Sequence, residues 1–423
     1  MTDIGQYTRS DWFVYFAAVA LFLAAVFGIS GSFLSHDFHA YYMGAYFASI
    51  GDWTNVYPTI DEMRGLSFPA AWSEKQDIMG ANRNPQSPYI YPPLWAWLFG
   101  LLQQLISFEA MRLSMVVLVS LGIVATIEGI RRLIAEQIPP IVALVLGISV
   151  LFLTTVGIVA LNELQIQTIV SALILWAFAF AQSDRKISAG LCLAFAASIK
   201  LYPILFAAFW IARKDWRALI ACFGFGVLLG LTSVLVGGIE TTFHFLNVMR
   251  TANDLSIMIT SSLGLTPILS SLHHSIIFET IASPEGFSFE NQRNISPLYI
   301  SAGVKAASLG LVVLLAIISA RSDQKTFNQA ILPGALIGVT LCLPLAWAHS
   351  YIVALFFIPL AAYTMRSWSE IIVLCLLLGG CGSWLLLIDP FGYPVRHVAI
   401  PIISTMSMLG IFAIYFIRAL RRT

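Results

Sequence analysis

Residues His36 to Tyr57, HDFHAYYMGAYFASIGDWTNVY, follow directly on a first apolar run that extends from Phe13 to Phe33. That run is about 20 residues long, which is enough for a helix to cross a bilayer. Asp37 therefore stands where a helix leaves the hydrocarbon, a place where a charged side chain is costly and usually functional. The alternative is that Asp37 caps the helix that carries the following aromatic residues, since Asp is common at an N-cap. The sequence leaves both interpretations open.

The composition indicates a membrane protein. Of 423 residues, 58% are hydrophobic and 11% are charged, whereas soluble domains are about 25% charged. The mean hydropathy is +0.83. The formal net charge is +1 and the chain has no long basic or acidic block, which argues against a nucleic-acid partner. The lipid bilayer and small polar molecules are the partners that this composition favours.

About 12 apolar runs are long enough, or nearly long enough, to cross a membrane. They predict an all-α polytopic membrane protein that forms a single domain, residues 1–423. We expect the first run to be a retained helix, because it ends without the small-residue cleavage site of a signal peptide. Two long polar regions interrupt the runs, at residues 34–90 and 238–297. We expect these two loops to carry short amphipathic helices that lie in the membrane interface.

Basic residues in short loops predict the orientation, since they favour the cytoplasmic side. On this rule the basic tail, residues 213–217 and the other short basic loops of the back half are cytoplasmic, and both long loops lie on the opposite side. The front half disagrees by one span if residues 184–186 are also cytoplasmic. Either residues 187–211 form one tilted helix broken at a proline, or residues 94–106 form a half-helix that turns back. Both solutions remain open.

Three polar residues at the ends of apolar runs, or inside them, are candidates for chemistry. Asp37 precedes Tyr41 by four positions, which makes them neighbours on a helix, and an ionised carboxylate beside a cavity is what a general base needs. Lys200 interrupts an apolar run, so it should face the protein interior or a bound phosphate unless it extends to the membrane surface. His349 ends a span beside Trp347 and either contacts a phosphate or belongs to an aromatic belt.

The remaining polar residues give weaker signals. Gln165 lies in a polar cluster between two spans, and Arg293 is one of several loop cations that can clamp a phosphate. The cysteines all lie in apolar runs without metal-ligand spacing, and we expect them to be packing residues. No metal site is predicted.

Four short motifs, in chain order, resemble those of one enzyme family. Asp37 begins an Asp-Phe-x-x-Tyr-Tyr sequence, and Tyr91 begins the Tyr-Pro-Pro that enters the second span. Lys200 begins a Lys-Leu-Tyr-Pro break, and His349 ends a Trp-Ala-His turn. Together these motifs resemble family 87 of the C-type glycosyltransferases, polytopic enzymes that include polyprenyl-phosphate-mannose-dependent mannosyltransferases.

The resemblance implies the C-type glycosyltransferase fold and the inverting transfer of a sugar, with mannose as the first candidate. The donor would be a polyprenyl-phosphate sugar and the acceptor a glycan or glycolipid. The site would face the periplasm from a bacterial inner membrane. Asp37 would be the catalytic base. The other residues expected at the donor phosphate or the substrate are His349, Lys200, His39, Tyr41, Tyr42, Tyr91, Arg293 and Gln165.

Two details qualify the resemblance. Where the family tends to have a glycine-glutamine pair, this chain has Leu164-Gln165. Many C-type relatives bind a divalent metal through acidic residues, whereas the first loop of this chain offers one convincing acid, Asp37. The resemblance with this departure favours chemistry that requires no metal and no other cofactor.

Two other functions are compatible with a polytopic membrane protein. A flippase or transporter for a polar lipid would carry charged residues along a path through the membrane and would show internal symmetry, and the sequence shows neither. A structural subunit of an envelope-assembly complex would tolerate substitution of Asp37, Lys200 and His349 together.

Overall fold

The computed structural model describes the residues in the following ranges: 9–33, 35–78, 87–259, 261–283, 293–365, 367–381 and 392–422. Parts of both predicted loops, residues 79–86 and 284–292, lie outside the described residues, as do residues 382–391, which include the end of one apolar run. The described chain is largely helical and contains one antiparallel sheet of two strands, β1 (Leu255–Ile257) and β2 (Arg293–Ile295).

Twenty helices follow one another along the described ranges. They are α1 (Arg9–Ile29), α2 (His36–Ser49), α3 (Ile60–Arg64), α4 (Ala71–Ile78), α5 (Pro93–Gln103), α6 (Phe108–Ile134), α7 (Pro140–Leu153), α8 (Thr155–Asn162), α9 (Gln167–Gln182), α10 (Lys186–Ile199), α11 (Ala207–Ala212), α12 (Trp216–Ala252), α13 (Leu265–His273), α14 (Ile276–Ala282), α15 (Leu298–Arg321), α16 (Gln324–Thr326), α17 (Leu332–Leu341), α18 (Ile352–Thr364), α19 (Trp368–Gly380) and α20 (Gly392–Arg422).

Several of these helices are long and apolar enough to cross a membrane. Within the described ranges, five qualify by length and composition, namely α1, α6, α12, α15 and α20. The pair α7 and α8 makes a sixth if it is one span bent by 87°. Shorter apolar helices of 10–17 residues include α9, α10 and α19. The protein is therefore an all-α polytopic membrane protein, while the number of about 12 spans stays a prediction.

Internal contacts divide the chain into two compact units. The first comprises Met1–Thr126, Ala160–Ile204 and Trp216–Ala252. The second comprises Ile127–Val159, Leu205–Asp215 and Asn253–Thr423. In the first unit α10 packs on α9 and α12, and α2 packs on α5. In the second unit α17 and α19 pack on α20, and α7 packs on α18.

The close packing of α10 on α12 depends on Gly190. A Cβ atom at this position would lie 2.5 Å from the Cβ of Ala221 and 2.5 Å from the backbone nitrogen of Cys222. Any side chain would therefore push the two helices apart, since Cβ atoms do not approach neighbours so closely. Gly190 therefore fixes the spacing between α10, which ends next to Lys200, and α12, which carries Arg217 in its first turn.

The second predicted loop begins at a break within α12. Helix α12 does not end at Gly238, whose backbone (φ 80°, ψ 164°) breaks the helical geometry before the helix resumes and runs to Ala252. This conformation is accessible essentially to glycine alone. The helix resumes because Phe245 and Val248 are buried on one face of the continuing segment. The first predicted loop does carry short helices, α2 to α4.

The chain between α10 and α12 returns to the end of the first unit from which it started. Arg185, just before α10, and Arg217, at the start of α12, line the same groove. Residues 187–211 therefore do not form one tilted span, and that solution of the orientation problem is wrong. The two basic segments share one end of the unit, as the distribution of basic residues in cytoplasmic loops requires. Helix α5, with 11 residues, has the length of the half-helix in the other solution.

Candidate functional site

Helix α2 begins in a connection held by the segment that joins α8 to α9. Ser35 adopts a left-handed backbone (φ 57°, ψ 31°), and its N–H donates to the Asn162 carbonyl at 2.8 Å. The His36 N–H donates to Oε2 of Glu163 at 3.1 Å, and His36 Nδ1 lies 3.2 Å from the same oxygen. A carboxylate is stabilised there because the first amides of a helix are unsatisfied and carry partial positive charge. Glu163 thus fixes the start of α2.

Asp37 is the second residue of α2 and does not cap the helix. The N-cap is Ser35, whose side chain makes no capping hydrogen bond. The Asp37 carboxyl instead makes a hydrogen bond with the Ser87 side chain. The interpretation of Asp37 as a helix cap is therefore wrong. Asp37 lies in the first unit, and its side chain is partly exposed.

The surroundings of Asp37 make it a stronger base than a solvated aspartate. Burial, followed by the negative charge of Glu163, raises the pKa of Asp37 from 3.8 to about 6. The hydrogen bond from Ser87 and the positive charges of Lys200 and His36 lower this pKa and partly offset the rise. Asp37 is therefore mostly ionised at neutral pH. A carboxylate whose pKa is close to the operating pH is well suited to accept a proton in a reaction.

Lys200 ends α10 and acts electrostatically on Asp37. Its backbone is extended (φ −131°, ψ 132°), and its N–H closes the helix on the Ala196 carbonyl at 3.0 Å. The residue is half-buried, and its ammonium charge favours the ionised form of Asp37. The structure therefore brings together two residues that the sequence indicated separately, an acid at the end of the first span and a lysine in a helix break.

A pair of buried tyrosines stands beside Asp37. The Tyr41 hydroxyl donates to the Tyr91 hydroxyl at 2.6 Å, and the Tyr57 hydroxyl donates to the Tyr91 carbonyl at 2.7 Å. Burial is the main cause that raises the pKa of Tyr41 and Tyr91, and the charge of Asp37 adds to it. Both hydroxyls therefore remain protonated at neutral pH. Because the Tyr41 proton goes to Tyr91, the Tyr91 hydroxyl is the donor that this pair offers beside Asp37.

His39 and Tyr42 lie on α2 where it packs against α6. His39 Nδ1 lies 2.7 Å from the Ser35 carbonyl oxygen, so Nδ1 carries the proton of that hydrogen bond. The His39 and Tyr42 rings pack on Phe108 with centroid separations of 5.3 and 4.8 Å. These contacts tie α2 to α6. A role for the two residues in substrate binding stays a prediction.

Gln165 is buried beside a strained residue. Leu164 adopts φ 51°, a left-handed conformation that glycine adopts without cost. This explains why a glycine suits the position in the family pattern. Among the described residues, the Gln165 Oε1 atom has no hydrogen-bond partner. Buried polar atoms are normally satisfied, so Gln165 offers an acceptor that a ligand can use.

His349 and Arg293 belong to the second unit. His349 is buried in a 3-10 turn, Ala348–Tyr351. This turn is held by two hydrogen bonds, one from the Ala348 N–H to the Ser261 carbonyl at 2.7 Å and one from the Tyr351 hydroxyl to the Leu263 carbonyl at 3.0 Å. Arg293 is half-buried and begins β2. The role predicted for both residues at a donor phosphate stays a prediction.

The residue that the sequence undervalues is Glu163. In the sequence, Glu163 is one member of a polar cluster, and the sequence does not determine on which side of the membrane that cluster lies. Its contact with His36 joins residues 127 positions apart, and no local pattern encodes it. The available signal was an acid between two spans, which is rare near a membrane. Among the described residues, no group of three or more His, Cys, Asp or Glu side chains could hold a metal ion.

Comparison with known proteins identifies the family to which the chain belongs. None of the curated proteins compared with the chain matches it. The family model described as Glycosyltransferase family 87 matches residues 89–344, more than half of the 423-residue chain. The matched part includes Tyr91, Gln165, Lys200 and Arg293, whereas Asp37 and His349 lie outside it. The chain thus belongs to glycosyltransferase family 87, and this membrane protein is a glycosyltransferase.

Proposed function

We propose that this glycosyltransferase moves a sugar, with mannose as the first candidate, from a polyprenyl-phosphate donor to a hydroxyl of a glycan or glycolipid, with inversion. The observation that supports this most is the Asp37 carboxyl, which is deep in the first unit, accessible, and in electrostatic contact with Lys200. A base and a cation close together match the two requirements of the reaction, which are proton removal from the acceptor and charge stabilisation on the leaving phosphate.

In the proposed step Asp37 takes the proton of the acceptor hydroxyl as the hydroxyl oxygen attacks the anomeric carbon. The bond from this carbon to the phosphate oxygen breaks, and the polyprenyl phosphate leaves with the electron pair. One displacement inverts the configuration, and the proton on Asp37 is later released to water. Lys200 stabilises the negative charge that develops on the phosphate. With this cation in place, the step is proposed to need no metal or other cofactor.

Glu163 has a positioning role in this proposal. Its carboxylate holds the first turn of α2, where Asp37 lies, through the His36 N–H. Its charge also raises the pKa of Asp37, which increases the basicity of the catalytic carboxylate. Tyr91 would donate to a sugar hydroxyl, and Tyr41, whose proton goes to Tyr91, would hold the Tyr91 hydroxyl in place. His349 and Arg293 are proposed as further phosphate contacts, on the strength of the sequence.

The fold of the first unit favours an extracytoplasmic site. Helix α10 has 14 residues and is therefore about 21 Å long. Lys186 and the basic groove lie at its start, and Lys200 with Asp37 lies at its end. If the basic end is cytoplasmic, the Asp37 end faces the other side, which in a bacterial inner membrane is the periplasm. There the lipid tail of the donor stays in the bilayer and the phosphate reaches the interface.

The test is transfer by the purified full chain from polyprenyl-phosphate mannose to a glycolipid acceptor. Asp37→Asn should reduce turnover by about 10²–10⁴-fold while the protein still unfolds cooperatively on heating. Asp61→Asn is the matched control, because the Asp61 side chain is 90% exposed and pairs only locally with Arg64. Full turnover by Asp37→Asn would remove Asp37 from the mechanism. Lipid movement in liposomes without a new glycosidic bond would favour the flippase.

A further inference from the structure

An open groove lies between α10 and α12 at the ends where these helices begin. Its volume is about 880 Å³, which is within the range of pockets that bind small molecules, about 300–1,000 Å³. The residues at its rim include Asp184, Arg185 and Lys186 before and at the start of α10, and Arg217 at the start of α12. The close contact of the helices at Gly190 bounds the groove on one side. The contact at Gly190 therefore limits how far α10 and α12 can separate on this side of the groove.

The rim of this groove is positively charged. Three basic side chains and one acidic side chain give an excess of two positive charges. Arg185 and Arg217 are exposed. The Lys186 ammonium donates to the Ala181 carbonyl at 2.6 Å, which holds it at the rim. An anionic group is the complement of such a rim.

The floor of the groove is apolar. Ile220 and Leu228, on α12, are 70% and 58% exposed, and a Cβ atom at Gly224, between them, would meet nothing within 4 Å. Leu228 lies 11 positions after Arg217, which is a rise of about 16 Å along the helix. This is roughly half of the ~30 Å hydrocarbon core, the depth of one leaflet. A soluble anion would leave this floor uncovered.

We infer that the groove binds one anionic phospholipid, with its phosphate at Arg185, Lys186 and Arg217 and an acyl chain along α12 toward Leu228. Basic pockets between membrane helices are a known means of binding acidic lipid headgroups. The site is distinct from the one proposed for catalysis, because Lys200 lies at the other end of α10, about 21 Å away along the helix axis. The lipid is therefore a partner of the fold and not the sugar donor.

The experiment is native mass spectrometry of the full chain in detergent, titrated with phosphatidylglycerol or with phosphatidylcholine of the same acyl chains. We expect one tightly bound phosphatidylglycerol. Each basic residue near a lipid headgroup contributes roughly fivefold in affinity, so the variant with Arg185→Gln, Lys186→Gln and Arg217→Gln should bind it on the order of 100-fold more weakly. Asp37→Asn should bind it as the wild type does. Equal affinity for the two lipids, or no loss in the triple variant, would overturn the inference.

A second pair of variants tests the acyl chain without changing any charge. Gly224→Phe fills the groove, whereas Gly230→Phe places the same ring further along α12, where a Cβ atom also meets nothing within 4 Å. We expect weaker phosphatidylglycerol binding in Gly224→Phe alone. Equal phosphatidylglycerol binding by the two variants would overturn the placement of the acyl chain along α12. Inorganic phosphate should not displace the lipid at a matched concentration, and complete displacement would also overturn it.

Discussion

The charges around Asp37 predict that two substitutions move the pH dependence of sugar transfer in opposite directions. If Asp37 must be ionised to accept a proton, a pKa of about 6 sets the acid limb of the rate. The ionised fraction, and with it the rate, is then about one-tenth of the plateau at pH 5 and about nine-tenths at pH 7. The midpoint of the wild-type profile should lie near pH 6.

Glu163→Gln removes the negative charge that is the second-largest cause of the raised pKa of Asp37. The midpoint should therefore fall below pH 6 but stay above 3.8, because burial, the largest cause, remains. Lys200→Met removes a charge that favours ionised Asp37, so its midpoint should rise above pH 6. Its plateau should also fall if Lys200 stabilises the leaving phosphate.

The assay is single-turnover transfer from polyprenyl-phosphate mannose between pH 4.5 and 8, with each variant scaled to its own plateau. Single-turnover conditions separate the chemical step from product release. Asp61→Asn serves as the control, and its profile should superimpose on that of the wild type. Midpoints that move in the same direction for both variants, or that do not move, would refute the assignment of the acid limb to Asp37.

Four further predictions concern stability, measured as thermal unfolding of the purified protein. Asp37→Asn should stabilise the protein at pH 7.5 by up to about 3 kcal/mol. Because the pKa of Asp37 is raised in the folded protein, wild-type Asp37 stabilises the fold most below pH 3.8, and this stabilisation is lost as the pH rises through about 6. The stability advantage of the variant over the wild type should therefore shrink at pH 5. Tyr57→Phe should cost about 1–2 kcal/mol, because it leaves a buried carbonyl without its donor. Gly190→Ala should cost about 1–3 kcal/mol by overpacking two helices, whereas the control Gly230→Ala, in open space, should gain up to about 1 kcal/mol of helix propensity. Leu164→Gly should relieve left-handed strain yet lose about 1–4 kcal/mol net, because a fully buried side chain is removed; a gain in stability would contradict this reasoning.

Much of the fold could be predicted from the sequence, because hydrophobic runs and interrupting polar segments report directly on helices in a membrane protein. The short helices in the first loop follow from apolar residues at helical spacing in residues 40–50 and 59–72, where the structure has α2 and α3. The second loop was expected to carry short helices, but the bounds of the helical segment that follows Gly238 could not be predicted. A glycine at this position predicts the end of the membrane-spanning helix. The helix resumes because Phe245 and Val248 are buried against other parts of the unit.

The candidate site was predictable in its members but not in its arrangement. Asp37 and Lys200 are each conspicuous, because a charge at the end of an apolar run or within one demands a reason. Glu163 and Ser87 could not be assigned to them, since both reach Asp37 or its helix from distant segments. The left-handed backbone of Leu164 could not be predicted either, because leucine rarely adopts this conformation. It is imposed by the folded connection between α8 and α9.

The break at Gly238 has a consequence for the choice of membrane. The arm of α12 before it, Trp216 to Gly237, rises about 33 Å, close to the ~30 Å of an average hydrocarbon core. The whole 37-residue helix, if unbroken, would measure about 55 Å and force severe hydrophobic mismatch. A single glycine therefore sets the lipid acyl-chain length that this helix matches, and a thinner bilayer must either thicken locally around the arm or let the arm tilt.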